Sequence, residues 1–242
     1  MKNLLIILFS FPLFAQCQRV VLGIDKNNAI ANAPKLFIMT GNSIGNGHPD
    51  CNSPASCNIG DQVYDALNTN SQYTYFNTSV NGRGTFDMTA ALPTEVYPKF
   101  EGDYTKIIVG AIEGTNTMLN GSQTGAFAAD LMFDYAEELL QEDHRVRVLL
   151  YMCVNAETDT GEPNYLVESE RVIYNDLLAD APASARFLPY LGRIKVVDIR
   201  DIPELNDADA YLNATYYTDG IHLTSAGYLL LGERGATVAQ TF

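Results

Sequence analysis

Apolar and polar positions alternate between two patterns along this chain. Short runs are apolar nearly throughout: Leu36–Met39 within Lys35 to Thr40, Lys106 to Ile112, Val146 to Val154, and Ile194 to Ile199. A fifth run, Tyr73 to Val80, is rich in Tyr, Phe, Thr and Val. Runs of this kind read as strands, and those without polar alternation as strands buried on both faces. Between them the period changes to that of a helix. Asn58 opens a segment with Ile59, Val63 and Leu67 on one face. Gly125 to Glu142 is the clearest helix: Phe127, Leu131, Tyr135 and Leu139 form a stripe, with Asp130, Asp134, Glu137 and Gln141 opposite. Leu166 to Leu178 is a further helix, stopped before Pro182, and another starts near Thr224. Phe86 to Phe100 is partly helical, interrupted by Pro93 and Pro98. Strands alternating with helical connections predict one α/β domain. Its three α/β/α layers enclose a mostly parallel five-stranded sheet.

Ligands on such sheets bind beyond the carboxyl ends of the strands. Three glycine turns fall there: Gly41-Asn42-Ser43 after the first strand, Asn81-Gly82 after the second, and Gly114-Thr115-Asn116 after the third. In a parallel sheet all three reach the same edge. Ser43 stands where a buried strand breaks into a turn, which holds a hydroxyl out of the core on a stiff support, as a nucleophile requires. An ordinary strand-end turn uses the same residue types. A base is found far along the chain, in Thr218-Asp219-Gly220-Ile221-His222. At this spacing Asp219 can accept from Nδ1–H of His222, leaving Nε2 to take a proton from a hydroxyl. Of the other two histidines, His48 is a rival base five residues after Ser43, and His144 is expected to be exposed.

The termini and the charge narrow the setting. Lys2 followed by an apolar run from Leu4 to Ala15 has the layout of a secretory signal peptide over residues 1–16, with a buried first element as the alternative. A lead-in segment, 17–34, with a short strand at Arg19 to Gly23, then precedes a catalytic domain over 35–242. This predicts a secreted or periplasmic protein. Cys17 raises the alternative of a lipid anchor, although Gln16 stands where a small residue is wanted. No other window is long and apolar enough for a membrane span. The net charge of −14, from 29 acidic and 15 basic residues, repels nucleic acid and anionic membranes. Cys51 and Cys57 flank a short loop, and export would permit a disulfide between them. Their spacing, with no second Cys/His pair nearby, does not suit zinc, and no metal or cofactor is expected. Cys153 is expected as a buried free thiol.

Taken together, these residues resemble the SGNH (GDSL-type) hydrolase family, from Lys35 to the C-terminal helix. Leu36 to Ser43 is similar to its first block, Ser79-Val80-Asn81-Gly82 to its second and Gly114-Thr115-Asn116 to its third. Asp219-Gly220-Ile221-His222-Leu223-Thr224-Ser225-Ala226-Gly227 is similar to its last. The resemblance implies a flavodoxin-like sheet, with Ser43 as nucleophile, His222 as base and Asp219 as its orienter. It implies an oxyanion hole from the Ser43 N–H, the Gly82 N–H and the Asn116 side-chain amide. Two positions depart from the pattern: Asn42 and Thr117 stand where the family usually carries acids. Both remove a negative charge beside the site, which predicts tolerance of a more anionic substrate.

Gly41-Asn42-Ser43-Ile44-Gly45 also matches the Gly-x-Ser-x-Gly elbow of α/β-hydrolases. Position argues against that fold: too little chain precedes Ser43, and its acid does not sit three residues before its histidine. The expected activity is therefore ester hydrolysis through an acyl-enzyme, with a small-molecule or glycan ester as substrate and an acetylated carbohydrate favoured. The alternatives are a short-chain lipase or thioesterase, and a carbohydrate-binding module that has lost turnover.

Overall fold

A computed structural model describes residues 33–51, 57–70, 72–158, 161–162 and 164–242. The expected signal peptide, Cys17 and the strand at Arg19 to Gly23 lie outside the described residues. Five strands form one sheet: β1 (Lys35–Gly41), β2 (Tyr73–Asn77), β3 (Lys106–Ile112), β4 (Val146–Tyr151) and β5 (Ile194–Val197). Their order is β2-β1-β3-β4-β5, and every pairing is parallel. Leu36 lies opposite Ile107, and Gly41 opposite Ile112. The order reverses at β1, so this strand lies between β2 and β3. The chain leaving β1 is thereby flanked by the chain leaving each neighbour, the place where open α/β sheets form a crevice.

Eight α-helices are described: α1 (Ser43–Asn46), α2 (Ile59–Leu67), α3 (Thr85–Ala91), α4 (Thr115–Met118), α5 (Gly125–Glu142), α6 (Glu168–Asp180), α7 (Pro203–Asn206) and α8 (Ser225–Ala239). Side chains alternate across the sheet and build two cores. Leu36, Ile38, Val109, Val148 and Leu150 face Met88 of α3, Met132 and Tyr135 of α5, and Tyr174 of α6. Phe37, Met39, Ile108, Leu149 and Tyr151 face Ile59 and Val63 of α2 and Tyr228 and Leu231 of α8. This is the expected three-layer α/β/α architecture.

Several boundaries differ from the sequence expectation. β2 ends at Asn77 rather than Val80, although Thr78 N–H still bonds to Met39 O and Val80 N–H to Gly41 O; the Thr78 carbonyl is taken by the Arg83 guanidinium instead of by β1. β4 ends at Tyr151, although the apolar run continues to Val154. Met152 to Val154 stay buried, and Asn175 bonds both the N–H and the C=O of Cys153 in place of a neighbouring strand. β5 ends at Val197, opposite the last residue of β4. α6 starts at Glu168, two positions beyond the expected Leu166. The stripe on α5 is displaced: Phe127 is exposed, and the buried face carries Ala128, Ala129, Met132, Tyr135, Ala136, Leu139 and Leu140. After α3 the chain continues as a π turn, Leu92–Val96, and a 3-10 turn, Tyr97–Phe100. Pro93 and Pro98 fall where the helical bonding changes from α to π and from π to 3-10, as proline's missing N–H requires.

Candidate active site

Ser43 is carried out of β1 by two residues. Gly41 has φ of 156°, and a Cβ there would collide with the Ile112 carbonyl, so only glycine lets β1 leave β3 at this point. Asn42 then caps the one-turn helix α1, its Oδ1 accepting from Ile44 N–H at 2.9 Å. Ser43 opens that helix with its Oγ facing His222.

The late Asp/His segment is a closed turn. Tyr217 and Leu223 form an antiparallel bridge, and Thr218 N–H bonds to His222 O at 2.8 Å. Gly220, at φ of 80°, makes the reversal. Asp219 Oδ1 accepts from the N–H groups of Ile221 (3.0 Å) and His222 (2.8 Å). Its Oδ2 lies 2.7 Å from His222 Nδ1. On the other side of the ring, His222 Nε2 lies 2.9 Å from Ser43 Oγ. Partial burial works to raise the Asp219 carboxyl, but the bonds from His222 and Ile221 outweigh it and hold its pKa below the usual carboxylate range. An ionised Asp219 fixes the Nδ1–H tautomer, which leaves Nε2 as the acceptor for Ser43.

The other two glycine turns flank Ser43 as the strand order requires. Gly82, after β2, has φ of 77°, a conformation that favours glycine even though a Cβ would meet nothing there. Among the described residues no acceptor takes the N–H of Ser43 or of Gly82. Asn116, in α4 after β3, donates one side-chain N–H to Arg83 O at 3.0 Å, which ties the two turns together. Arg83 is itself held by both Glu95 oxygens, at 2.8 and 2.9 Å. Strand order puts these two turns on either side of the turn that carries Ser43, and amide N–H groups with a neutral side-chain amide are a set suited to a developing oxyanion.

His48, the rival base, is placed beside His222 and not between it and Ser43. The two rings meet edge to face, with centroids 4.9 Å apart. His48 Nδ1 lies 3.4 Å from Asn81 Nδ2, and Asn81 Oδ1 accepts from Asn46 Nδ2 at 2.9 Å. Tyr228 O–H donates to His48 O at 2.7 Å, fastening this loop to α8. Cys51 and Cys57 form a disulfide, with Cα atoms 5.1 Å apart, against Ser225 at the start of α8. His144 is exposed, and Cys153 is a buried free thiol whose pKa burial pushes up to about 12.

Sequence reasoning missed Glu113. This residue ends the apolar run of β3 and is 1% exposed. Its carboxyl accepts from Thr117 N–H (3.1 Å), Thr117 O–H (2.6 Å) and Thr85 O–H (2.6 Å). An acid thus stands against Thr117 although residue 117 carries none itself, and reaches it from another position in the chain. The available signal was an acidic residue directly before a glycine turn at the end of a strand buried on both faces. Asn42 is 1% exposed beneath the turn, where its side chain shapes the helix start.

No protein-family model matches the chain, and no curated protein sequence matches it. Solved structures do. A lipase/acylhydrolase from Enterococcus faecalis is 17% identical, with a TM-score of 0.58, over 86% of this chain and 95% of that one. A member of the lipolytic G-D-S-L family from Veillonella parvula is 13% identical, with a TM-score of 0.61, over 86% of this chain and all of that one (100%). A two-domain esterase active on acetylated mannans, crystallised with mannopentaose, is 13% identical, with a TM-score of 0.57, over 91% of this chain and 53% of that one. The fold is therefore that of the GDSL/SGNH hydrolase structures.

Proposed function

We propose that this chain is a serine esterase that cleaves carboxylic esters through an acyl-enzyme. The observation that carries the reading is the line of contacts from Asp219 Oδ2 to His222 Nδ1 (2.7 Å) and from His222 Nε2 to Ser43 Oγ (2.9 Å). His222 takes the Ser43 proton as Oγ attacks the ester carbonyl. The N–H groups of Ser43 and Gly82 and the Asn116 amide face the oxyanion that forms. His222 then returns the proton to the departing alcohol, and in the second half activates the water that releases the acid. Ser43 is the nucleophile, His222 the general base and acid, and Asp219 holds the imidazole in its tautomer.

The favoured substrate is an acetylated carbohydrate released outside the cell, on export by the segment at 1–16. Asn81 and Gly82 are exposed and Asp219 is half exposed, so the rim is open to a bulky alcohol portion. The likeness to an esterase active on acetylated mannans is consistent with this choice. A second reading, short-chain lipid or thioester hydrolysis, is favoured by Phe86 and Phe127. These rings are exposed and lie 6.2 Å apart, Phe86 just past the Gly82–Gly84 turn and Phe127 in the first turn of α5.

The test is hydrolysis of p-nitrophenyl acetate, butyrate and octanoate by the wild type and Ser43→Ala, followed by acetate release from O-acetylated xylan and mannan. Serine-dependent turnover of acetyl esters and release from a glycan is the expected result. A preference for octanoate would favour the lipid reading. No serine-dependent hydrolysis at any chain length, with glycan binding retained, would leave a binding module and sink the esterase.

A further inference from the structure

We infer that Glu113 is a positioning residue that sets the oxyanion donors of Gly82 and Asn116 at a fixed separation; this rests on the esterase reading. Its carboxyl is the hub of a small buried network. Thr85 and Thr117 both donate their hydroxyls to Glu113 Oε2 at 2.6 Å, and Thr117 N–H donates to Oε1 at 3.1 Å. Thr85 N–H in turn donates to Thr117 Oγ1 at 3.2 Å. Glu113 is 1%, Thr85 1% and Thr117 9% exposed, so water does not compete for these bonds. From the other side, Tyr174 O–H donates to the Glu113 carbonyl at 2.8 Å and pins the start of the glycine turn.

What the network joins gives it a function. Thr85 is the first residue of α3, directly after the Gly82-Arg83-Gly84 turn. Thr117 directly follows Asn116 in α4. One carboxyl therefore holds the segment carrying one donor against the segment carrying the other. The bond from Asn116 to Arg83 O spans the same gap nearer the serine. An oxyanion hole works by donors fixed before charge develops, so a tether between two of its three donors acts on the transition state more than on substrate binding. Burying an acid at the end of an apolar strand is costly unless every oxygen is satisfied, and here three donors meet it.

The experiment compares wild type, Glu113→Leu, Glu113→Gln and the double variant Glu113→Leu/Thr117→Asp. Thr117 Oγ1 already lies 2.6 Å from Glu113 Oε2, so a carboxyl carried by residue 117 would fall near the same Thr85 donors. For Glu113→Leu we expect kcat on p-nitrophenyl acetate to fall on the order of 10- to 100-fold, below the full loss of a donor, with KM within about twofold. The amide signal of Gly82 and the side-chain NH2 signals of Asn116 in 15N–1H spectra should move. The double variant should recover most of the turnover and return those signals. If Glu113→Leu does not fold, Glu113→Gln, which keeps the shape and one acceptor, carries the same comparison. Unchanged kcat and unmoved signals would overturn the inference, as would a rise in KM that accounts for the whole loss of kcat/KM. Absence of Ser43-dependent hydrolysis in the wild type would sink the esterase reading instead, and the Gly82 and Asn116 signals would then decide the tether alone.

Discussion

His222 Nε2 lies 2.9 Å from Ser43 Oγ, although the two residues are 179 positions apart in the chain. The contact is made by the start of α1 on one side and the closed turn before α8 on the other. Asp219, bonded to His222 at both ring and backbone, is the part of this arrangement that can be changed without moving either element. Asp219→Asn should leave the fold intact and lower kcat by about 10³- to 10⁴-fold, because the imidazole loses the partner that fixes its tautomer. Steady-state kinetics with a melting curve on the same sample checks both halves of the statement.

His48 offers a sharper discrimination. If it supports His222 by ring contact, His48→Phe keeps that contact, and His48→Ala removes it. An edge-to-face pair is worth about 0.5 to 1.5 kcal/mol, so His48→Ala should cost roughly threefold to tenfold in kcat. His48→Phe should stay near wild type and keep the acid limb of the pH–rate profile in place. Complete loss of turnover in His48→Phe would instead make His48 the base.

The Cys51–Cys57 disulfide closes a loop with a sequence separation of 6 residues. Loop-closure entropy for so short a ring corresponds to about 2 kcal/mol. Cys51→Ser/Cys57→Ser should therefore melt several degrees below the wild type, on the order of 4 to 8 °C for a domain of this size. Because the disulfide rests on Ser225 beside the histidine turn, turnover should fall along with stability in this variant. Differential scanning calorimetry and kinetics, with and without a dithiol on the wild type, provide the check.

Acid should weaken the fold through named carboxylates. Arg83 holds the Glu95 carboxyl below the usual range, and Arg145 does the same for Asp143. For Asp219, burial is outweighed by the bonds from His222 and Ile221. A depressed folded-state pKa means that the unfolded chain binds more protons, so this stabilisation is complete above the ordinary carboxylate pKa of about 4 and is lost as pH falls through the folded values. Asp61 opposes the trend, since burial and Asp65 raise it. Urea midpoints should be flat from pH 7 to about 5 and fall below about 4. Arg83→Gln should flatten that fall by removing the contribution of Glu95.

The strands and the partners of Ser43 were legible because each left a local mark. Ile107 to Ile112 is apolar throughout because both of its faces are covered, and the Asp219/His222 spacing reflects a single turn. Hydrophobicity reports burial, however, and not pairing. Val146 to Val154 is buried to its end, yet only Val146–Tyr151 is strand, since Asn175 supplies the bonds to Cys153 that a neighbouring strand would have made. The first half of the α5 stripe was misplaced for a related reason, while Tyr135 and Leu139 are buried as expected. Ala128, Ala129 and Ala136 are buried where a helix packs closely, and small residues leave little trace in an apolar period. The place of Glu113 at the end of a buried strand was visible in the sequence, but its role was not, because its partners, Thr85 and Thr117, are ordinary residues until the fold brings them together.

The bond from Tyr228 O–H to His48 O belongs to the last helix and reaches the loop just after Ser43. Nucleophile and base thus depend on opposite ends of the described chain, and any loosening of α8 on its face of the sheet would disturb their contact directly. On gradual heating, catalytic output should decline before the sheet melts, so that residual activity acts as a local thermometer for the docking of one helix.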